Sequence, residues 1–536
     1  MKKKHMLMGV FATAMLVGFG AAKILVGFRA VNTFSKDATA VRAGDTALSD
    51  TGNAPLVDGR AERDNFYSQV GKLLQAEKFD QLDAMVDNLR NTRPHLLGGG
   101  SKLALFYSDL ESWGKLEDRL QLFQKWADAR PDSATARIAL AWGYINYAWQ
   151  ARGSGWASEV KKEGWNLFAE RLKKSRGILE ETEKMTTKDP YLYYDFIWVA
   201  IGEGWDREKM EEVFKKGVAA DPTYYPLYFS KANYLLPRWH GEPGDWVKFA
   251  EEAADMTKKT EGSSLYARII QFIILKHRGT AEFKLDTGIF ERSDIFWPKL
   301  KQGYEDKARL YPGSLEDAHA FCFFACLAQD RETAKRLFAR IGNRPNEEIW
   351  GKRRSFERLR NLVNDETDDD PAFRKKISRF YQTANDVQDH MEQAYIFNNR
   401  GASAEAILQY SKALKLDPDL EGAYWARGNI YFFAKEYDKA IPDFTEAIRI
   451  NPSNADIYIN RGSSYGEKGE YDKAISDYTR AIALNPSLSQ AYLYRGVVYF
   501  RKGNYDKTWE DVQKAQSLGY QVDPRFLETI RIHRGK

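Results

Sequence analysis

One stretch of this 536-residue chain repeats itself, and that repeat constrains the fold more than any other feature. The segments YWARGNIYFFAKEYDKAIPDFTEAIRINP, YINRGSSYGEKGEYDKAISDYTRAIALNP and YLYRGVVYFRKGNYDKTWEDVQKAQSLGY align without gaps at a period of 34 residues. Arg427, Arg461 and Arg495 share one place on this grid, Gly428, Gly462 and Gly496 the next, and Tyr431, Tyr465 and Tyr499 a third. Ala440 and Ala474 recur later in the unit, then Ala447, Ala481 and Ala515, while Pro452 and Pro486 close their units. A degenerate copy precedes them, with Ala394, Phe397, Ala406, Tyr410, Ala413 and Pro418 on the same grid. Each unit predicts two helices: small residues let them approach, aromatics fill the gap one turn away, and Asn-Pro or Asp-Pro stops the second. A single hairpin leaves an apolar side bare, so the units must stack.

The pattern resembles the tetratricopeptide repeat (TPR) and places an array at 387–520, with 521–536 as a C-terminal tail. The resemblance implies an all-α chain wound as a right-handed α-α superhelix, whose first helices line a groove for partner peptides or proteins. On its grid the groove-facing residues are Trp425, Asn429, Phe432, Asn460, Ser463, Gln490, Tyr494, Val497 and Arg501. TPR domains that clamp a C-terminal carboxylate use two Asn and three basic residues. Asn429 and Asn460 match the former, but Trp425, Gln490 and Tyr494 occupy the basic places. The implied ligand is therefore an internal peptide segment or a protein face. Packing against the next repeat is the competing role for each residue.

Upstream, 63–342 has no strict period but keeps the punctuation: helix-like stretches end at Arg93-Pro94, Arg130-Pro131, Asp189-Pro190, Asp221-Pro222 and Tyr311-Pro312. REKMEEVFKKGVAADP carries Met210, Val213, Phe214, Val218 and Ala219 as a one-sided stripe. This predicts a divergent helical-hairpin solenoid. The passage LLPRWHGEPGDW resembles a TPR-associated bacterial domain of unknown function with a Leu-Pro-Arg-Trp-x-Gly signature, over about Phe66 to Phe338. The resemblance implies a bacterial source and no chemistry. Pro237, Arg238, Trp239, His240, Gly241 and Trp246 form either a corner locked by arginine stacking on tryptophan or the edge of a ligand pocket. Between Asn343 and Asp386 a basic block is followed by an acidic one, read as a solvated charged connector.

At the N-terminus, residues 1–5 are a basic tail, and residues 6–28 are apolar apart from Lys23. That length suffices to cross a bilayer as a signal-anchor, with Lys2, Lys3 and Lys4 held in the cytoplasm. Residues 29–62 read as a flexible stalk. The expectation is a single-pass protein of the bacterial inner membrane with its bulk in the periplasm. The alternative is secretion after cleavage at Gly20-Ala21-Ala22.

A net charge of +5, from 80 basic and 75 acidic residues, offers no concentrated basic face for nucleic acid. Two cysteines, Cys322 and Cys326, exclude a disulfide framework. With His319 they share a helix face and read as buried thiols rather than a metal site. No phosphate loop, dinucleotide motif, metalloprotease motif or nucleophile elbow is present, so neither cofactor nor catalytic residue is assigned. The leading expectation is a non-enzymatic, membrane-anchored scaffold that binds a protein or peptide through its TPR groove. Two others remain open: an envelope enzyme with its site near Arg238, Trp239 and His240, and a periplasmic protein that stacks glycans or peptides on its tryptophans.

Overall fold

The computed structural model describes residues 55–110, 114–153, 160–185, 188–278, 280, 283–351, 353–365 and 370–535. Among these every regular element is a helix, apart from isolated bridges joining Val57 to Ser314 and His95 to Ser101. The expected membrane span and most of the stalk lie outside the described residues. Among the described residues no helix is long and apolar enough to cross a membrane. Contacts divide the chain into two bodies, one ending at Tyr381 and the other beginning at Gln382.

The first body is a succession of helical hairpins. Ala134–Arg152 packs on Lys162–Glu183, Pro190–Glu203 on Arg207–Ala220, and Tyr225–Tyr234 on Asp245–Glu261. The first helices of neighbouring hairpins also pack on one another. Four of the five proline signals close helices as expected, but Asp189-Pro190 opens one. Asp189 Oδ1 accepts from the Tyr191 N–H and Pro190 occupies the first turn, where its missing donor costs nothing. The same carboxylate accepts from Arg90 Nε (2.7 Å) and the Tyr107 hydroxyl (2.6 Å), tying an early hairpin to a later one.

Three boundaries differ from the sequence expectation. The stalk is already docked before residue 62: Val57 N–H donates to Gly313 O (2.7 Å), Leu56 is buried, and a helix starts at Arg60. While most of the acidic run lies outside the described residues, the basic part of the charged connector is core on one face rather than solvated, because Phe356, Leu359 and Val363 share that face of Arg353–Asn364 and are buried together. Its charges occupy the other face, so a count of charge without its helical phase misreads it. The C-terminal tail is a helix, Pro524–Arg534, that buries Phe526 and Ile530 against the last repeat as a cap.

In the second body the 34-residue units are the expected hairpins: Glu421–Phe433 with Tyr437–Ile450, Ala455–Lys468 with Tyr471–Leu484, and Ser489–Arg501 with Tyr505–Ser517. Gly428 and Gly462 are required by close approach. A Cβ on Gly428 would stand 2.8 Å from the Phe444 ring, and one on Gly462 3.1 Å from the Tyr478 ring. The repeated arginines make a ladder. Arg427, Arg461 and Arg495 each donate through Nε and Nη2 to both oxygens of Asp443, Asp477 and Asp511 in the second helix of their own unit, at 2.7–2.8 Å. Nη1 of each donates to Ser411, Thr445 or Thr479 in the unit before. One guanidinium therefore fixes the hairpin and its stacking on the neighbour.

Candidate partner-binding faces

The groove candidates lie on the first helices, and the structure divides them. The half-buried Asn460 donates through Nδ2 to Oδ1 of the buried Asn429 (2.7 Å), joining two adjacent repeats. Trp425 and Gln490 are half-buried on their helices, and the Trp425 indole N–H is sealed without an acceptor. The remaining candidates are spent inside the protein. Ser463 is fully buried, donates to Ile459 O (2.9 Å) and lies 3.0 Å from the Tyr478 hydroxyl. Val497 is fully buried and Tyr494 almost so, its ring 6.0 Å from that of Tyr478. Phe432 is buried against Tyr437. Arg501 pairs with Glu467 (2.9 Å) and donates to Gly466 O (3.1 Å). The grid gives a residue's angular place but not the size of its neighbours, and large neighbours close over these five.

Two exposed aromatics were missed. Tyr395, 45% exposed, stands one period before Asn429. Phe433, 44% exposed, follows Phe432 and remains outside when its neighbour turns in. The 34-residue grid already contained the signal for Tyr395.

In the first body the signature forms a filled corner. Pro237 and Arg238 are exposed, while Trp239 packs edge-on against Trp149 at 5.8 Å and Trp246 is buried against Phe283. The His240 ring stacks on Tyr234 (4.5 Å, 22°), and its backbone carbonyl accepts from Arg207. Amides of Trp239, His240 and Gly241 donate to Leu236 O, Tyr234 O and Leu236 O. A Cβ on Gly241 would lie 1.8 Å from Leu235 O, so the chain closes on itself there. Trp239, His240 and Trp246 are thus each packed on a ring outside the signature: Trp149, Tyr234 and Phe283.

Cys322 and Cys326 are buried free thiols. Among the described residues no cluster of metal-ligating side chains occurs. His319 is buried with them, and its Nδ1 accepts from Trp350 Nε1 (2.9 Å). Because an indole only donates, Nδ1 carries no proton and the ring is neutral. Burial lowers its pKa to about 4. The unfolded chain therefore takes up a proton that the folded one refuses, and stability falls as pH drops from the free-histidine value toward 4. At pH 5 this is worth about 2 kcal/mol. Chemical denaturation at pH 7 and pH 5 should show that loss, and His319→Gln should flatten the dependence. An unchanged slope in the variant assigns the effect to another group.

The TPR family matches residues 394–435, 428–469 and 462–503, three overlapping windows across the array. A domain of unknown function, DUF4034, matches residues 67–180, so the Leu236–Trp246 passage lies beyond the matched part. The chain carries TPR repeats with that domain upstream. Similar solved structures include MamA, at 29% identity over 28% of this chain and 85% of that one, with a TM-score of 0.25. MamA from Desulfovibrio magneticus RS-1 is 22% identical over 31% of this chain and 92% of that one, with a TM-score of 0.25. YrrB, described as a TPR protein with an unusual peptide-binding site, is 14% identical over 41% and 93%, with a TM-score of 0.24. No curated protein matches the chain.

Proposed function

Starting from a chain that carries three TPR windows behind a domain of unknown function, we propose that it is a membrane-anchored scaffold whose repeat array binds a protein or peptide partner. The observation that carries this reading is the Asn429–Asn460 amide pair, which joins two repeats beside the half-buried Trp425. The Asn460 amide, fixed from behind by the buried Asn429, offers a peptide main chain a donor and an acceptor, and a flanking indole supplies apolar area. No basic residue replaces Trp425, Gln490 or Tyr494, so an internal segment suits this face better than a terminal carboxylate.

A photo-crosslinking residue placed at Trp425 or Gln490 of the full chain, in its native membrane, should capture one common partner. The same probe at Asp472, highly exposed on a second helix, should capture none of it. The double variant Asn429→Ala/Asn460→Ala should cut the yield by about tenfold, the scale of losing a central polar contact. Equal capture from Asp472 would end the groove assignment.

Anchoring belongs to residues 6–28, whose apolar length is the support for it. The reading places the bulk of the chain in the periplasm of a bacterial inner membrane. Both native cysteines are buried, so Asp472→Cys, at a highly exposed position, supplies a unique accessible thiol. An impermeant maleimide should label it in intact spheroplasts, and alkaline extraction should leave the protein in the membrane. Labelling only after lysis reverses the topology, and extraction into the soluble fraction removes the anchor.

A further inference from the structure

The body ending at Tyr381 has a first-helix face of its own, and its chemistry is unlike that of the repeat array. Ala134–Arg152, Pro190–Glu203, Tyr225–Tyr234 and Ser264–His277 follow one another side by side. Trp149 on the first of these meets Trp198 on the second edge-to-face (6.2 Å, 85°) and Trp239 of the signature corner (5.8 Å, 84°). All three indoles are half-buried and so present part of their surface to solvent. Edge-to-face packing sets the rings as a fixed, rigid layer rather than as independent side chains.

Cations surround this layer. Arg152 lies over Trp149 at 5.6 Å, and Lys276 Nζ stands 5.0 Å from the rings of both Trp198 and Phe272. Among the described residues Lys276 makes no ion pair. Its side chain is exposed, and the charge beside it is another cation, Arg238. The neighbouring His277 is held down, to about 3, by burial and by the charges of Arg238 and Lys276. No carboxylate is among the groups acting on either residue. Elsewhere in the protein lysines are paired routinely, as Lys231 is with Glu211 and Lys307 with Asp317. An exposed lysine set over tryptophan and beside an arginine is a place where an arriving anion is favoured.

We propose that this face is a second docking surface, for an acidic peptide segment that also carries an aromatic or apolar side chain. A carboxylate meets Lys276, and the apolar side chain lies against Trp149, Trp198 and Trp239. The surface is separate from the Asn429–Asn460 groove, so it goes beyond the function proposed above. It also gives the signature tryptophan a role: Trp239 closes one end of the layer.

The test uses the full chain and two labelled synthetic peptides, one alternating Glu with Phe and one alternating Lys with Phe. Fluorescence anisotropy should show saturable binding of the acidic peptide and none of the basic one. Lys276→Glu reverses the charge of an exposed side chain, and an unchanged melting temperature checks that the fold is kept. It should weaken the acidic peptide by on the order of tenfold or more, with a matching loss in salt. Trp198→Phe keeps an aromatic ring while removing area, and should weaken binding by a smaller factor at an unchanged melting temperature. The proposal is overturned if the acidic peptide binds Lys276→Glu as tightly as the parent. It is equally overturned if binding is lost in Asn429→Ala/Asn460→Ala but kept in Lys276→Glu, which puts the peptide in the repeat array. Quenching of tryptophan fluorescence by chito-oligosaccharide, with neither peptide bound, would assign the layer to glycans instead.

Discussion

Arg461→Met is expected to destabilise the repeat array by about 3 kcal/mol, although it removes a polar side chain and adds an apolar one of similar length. The cost arises on the other side of the pair. Asp477 is buried in the second helix and accepts from both Arg461 nitrogens at 2.8 Å; without them its carboxylate has lost its counter-charge. The contact to Thr445 in the preceding unit is lost too, so the interface between units loosens with the hairpin. Replacing both partners, Arg461→Met with Asp477→Leu, should recover most of the loss, because no charge is left buried and the site is filled with apolar volume. Hydrogen exchange on the full chain reads this locally, in Ala455–Lys468 and Tyr471–Leu484. Protection falling equally in the single and the double variant would mean that the ladder acts through shape and not through charge.

Gly241→Ala is expected to have an effect of similar size in the other body, about 3 kcal/mol, near the upper end for overpacking. The added methyl would meet the Leu235 carbonyl oxygen at 1.8 Å and its carbon at 2.3 Å, both backbone atoms. No side chain can rotate away, so the corner has to open and its three amide bonds to Leu236 and Tyr234 must lengthen. Gly177→Ala is the counter-example within the same body. It sits inside Lys162–Glu183 with open space around it, and should stabilise the helix by about 0.5–1 kcal/mol. Thermal unfolding of the two variants should move in opposite directions. If both fall, or Gly241→Ala is silent, the corner is less tightly closed than its geometry requires.

The pattern of glycines, alanines, aromatics and prolines at a 34-residue period was enough to predict the hairpins of the array and their register. Those residues act locally: Gly428 is defined by the Phe444 ring of its own unit, and helix-stopping by Pro452 needs no distant partner. The arginines were legible on the grid, but the ladder was not: Asp443, Asp477 and Asp511 keep the same period, and only the coordinates paired them with the arginines. The signature corner was legible as a tight loop because Gly241, Pro243 and Gly244 are turn residues in their own right.

What only the tertiary structure decided was which side of each surface is covered. Ser463, Tyr494 and Val497 occupy groove places on the grid, yet neighbours from other helices bury them, while Tyr395 and Phe433 stay exposed. Arg353–Asn364 looked solvated by charge count and proved to be core by helical phase. The ring layer of Trp149, Trp198 and Trp239 joins residues from three separate stretches of chain, with Lys276 from a fourth. No period links them. Burial is a property of the packed ensemble of side chains, and a sequence states it only where the covering residue is itself part of the repeat.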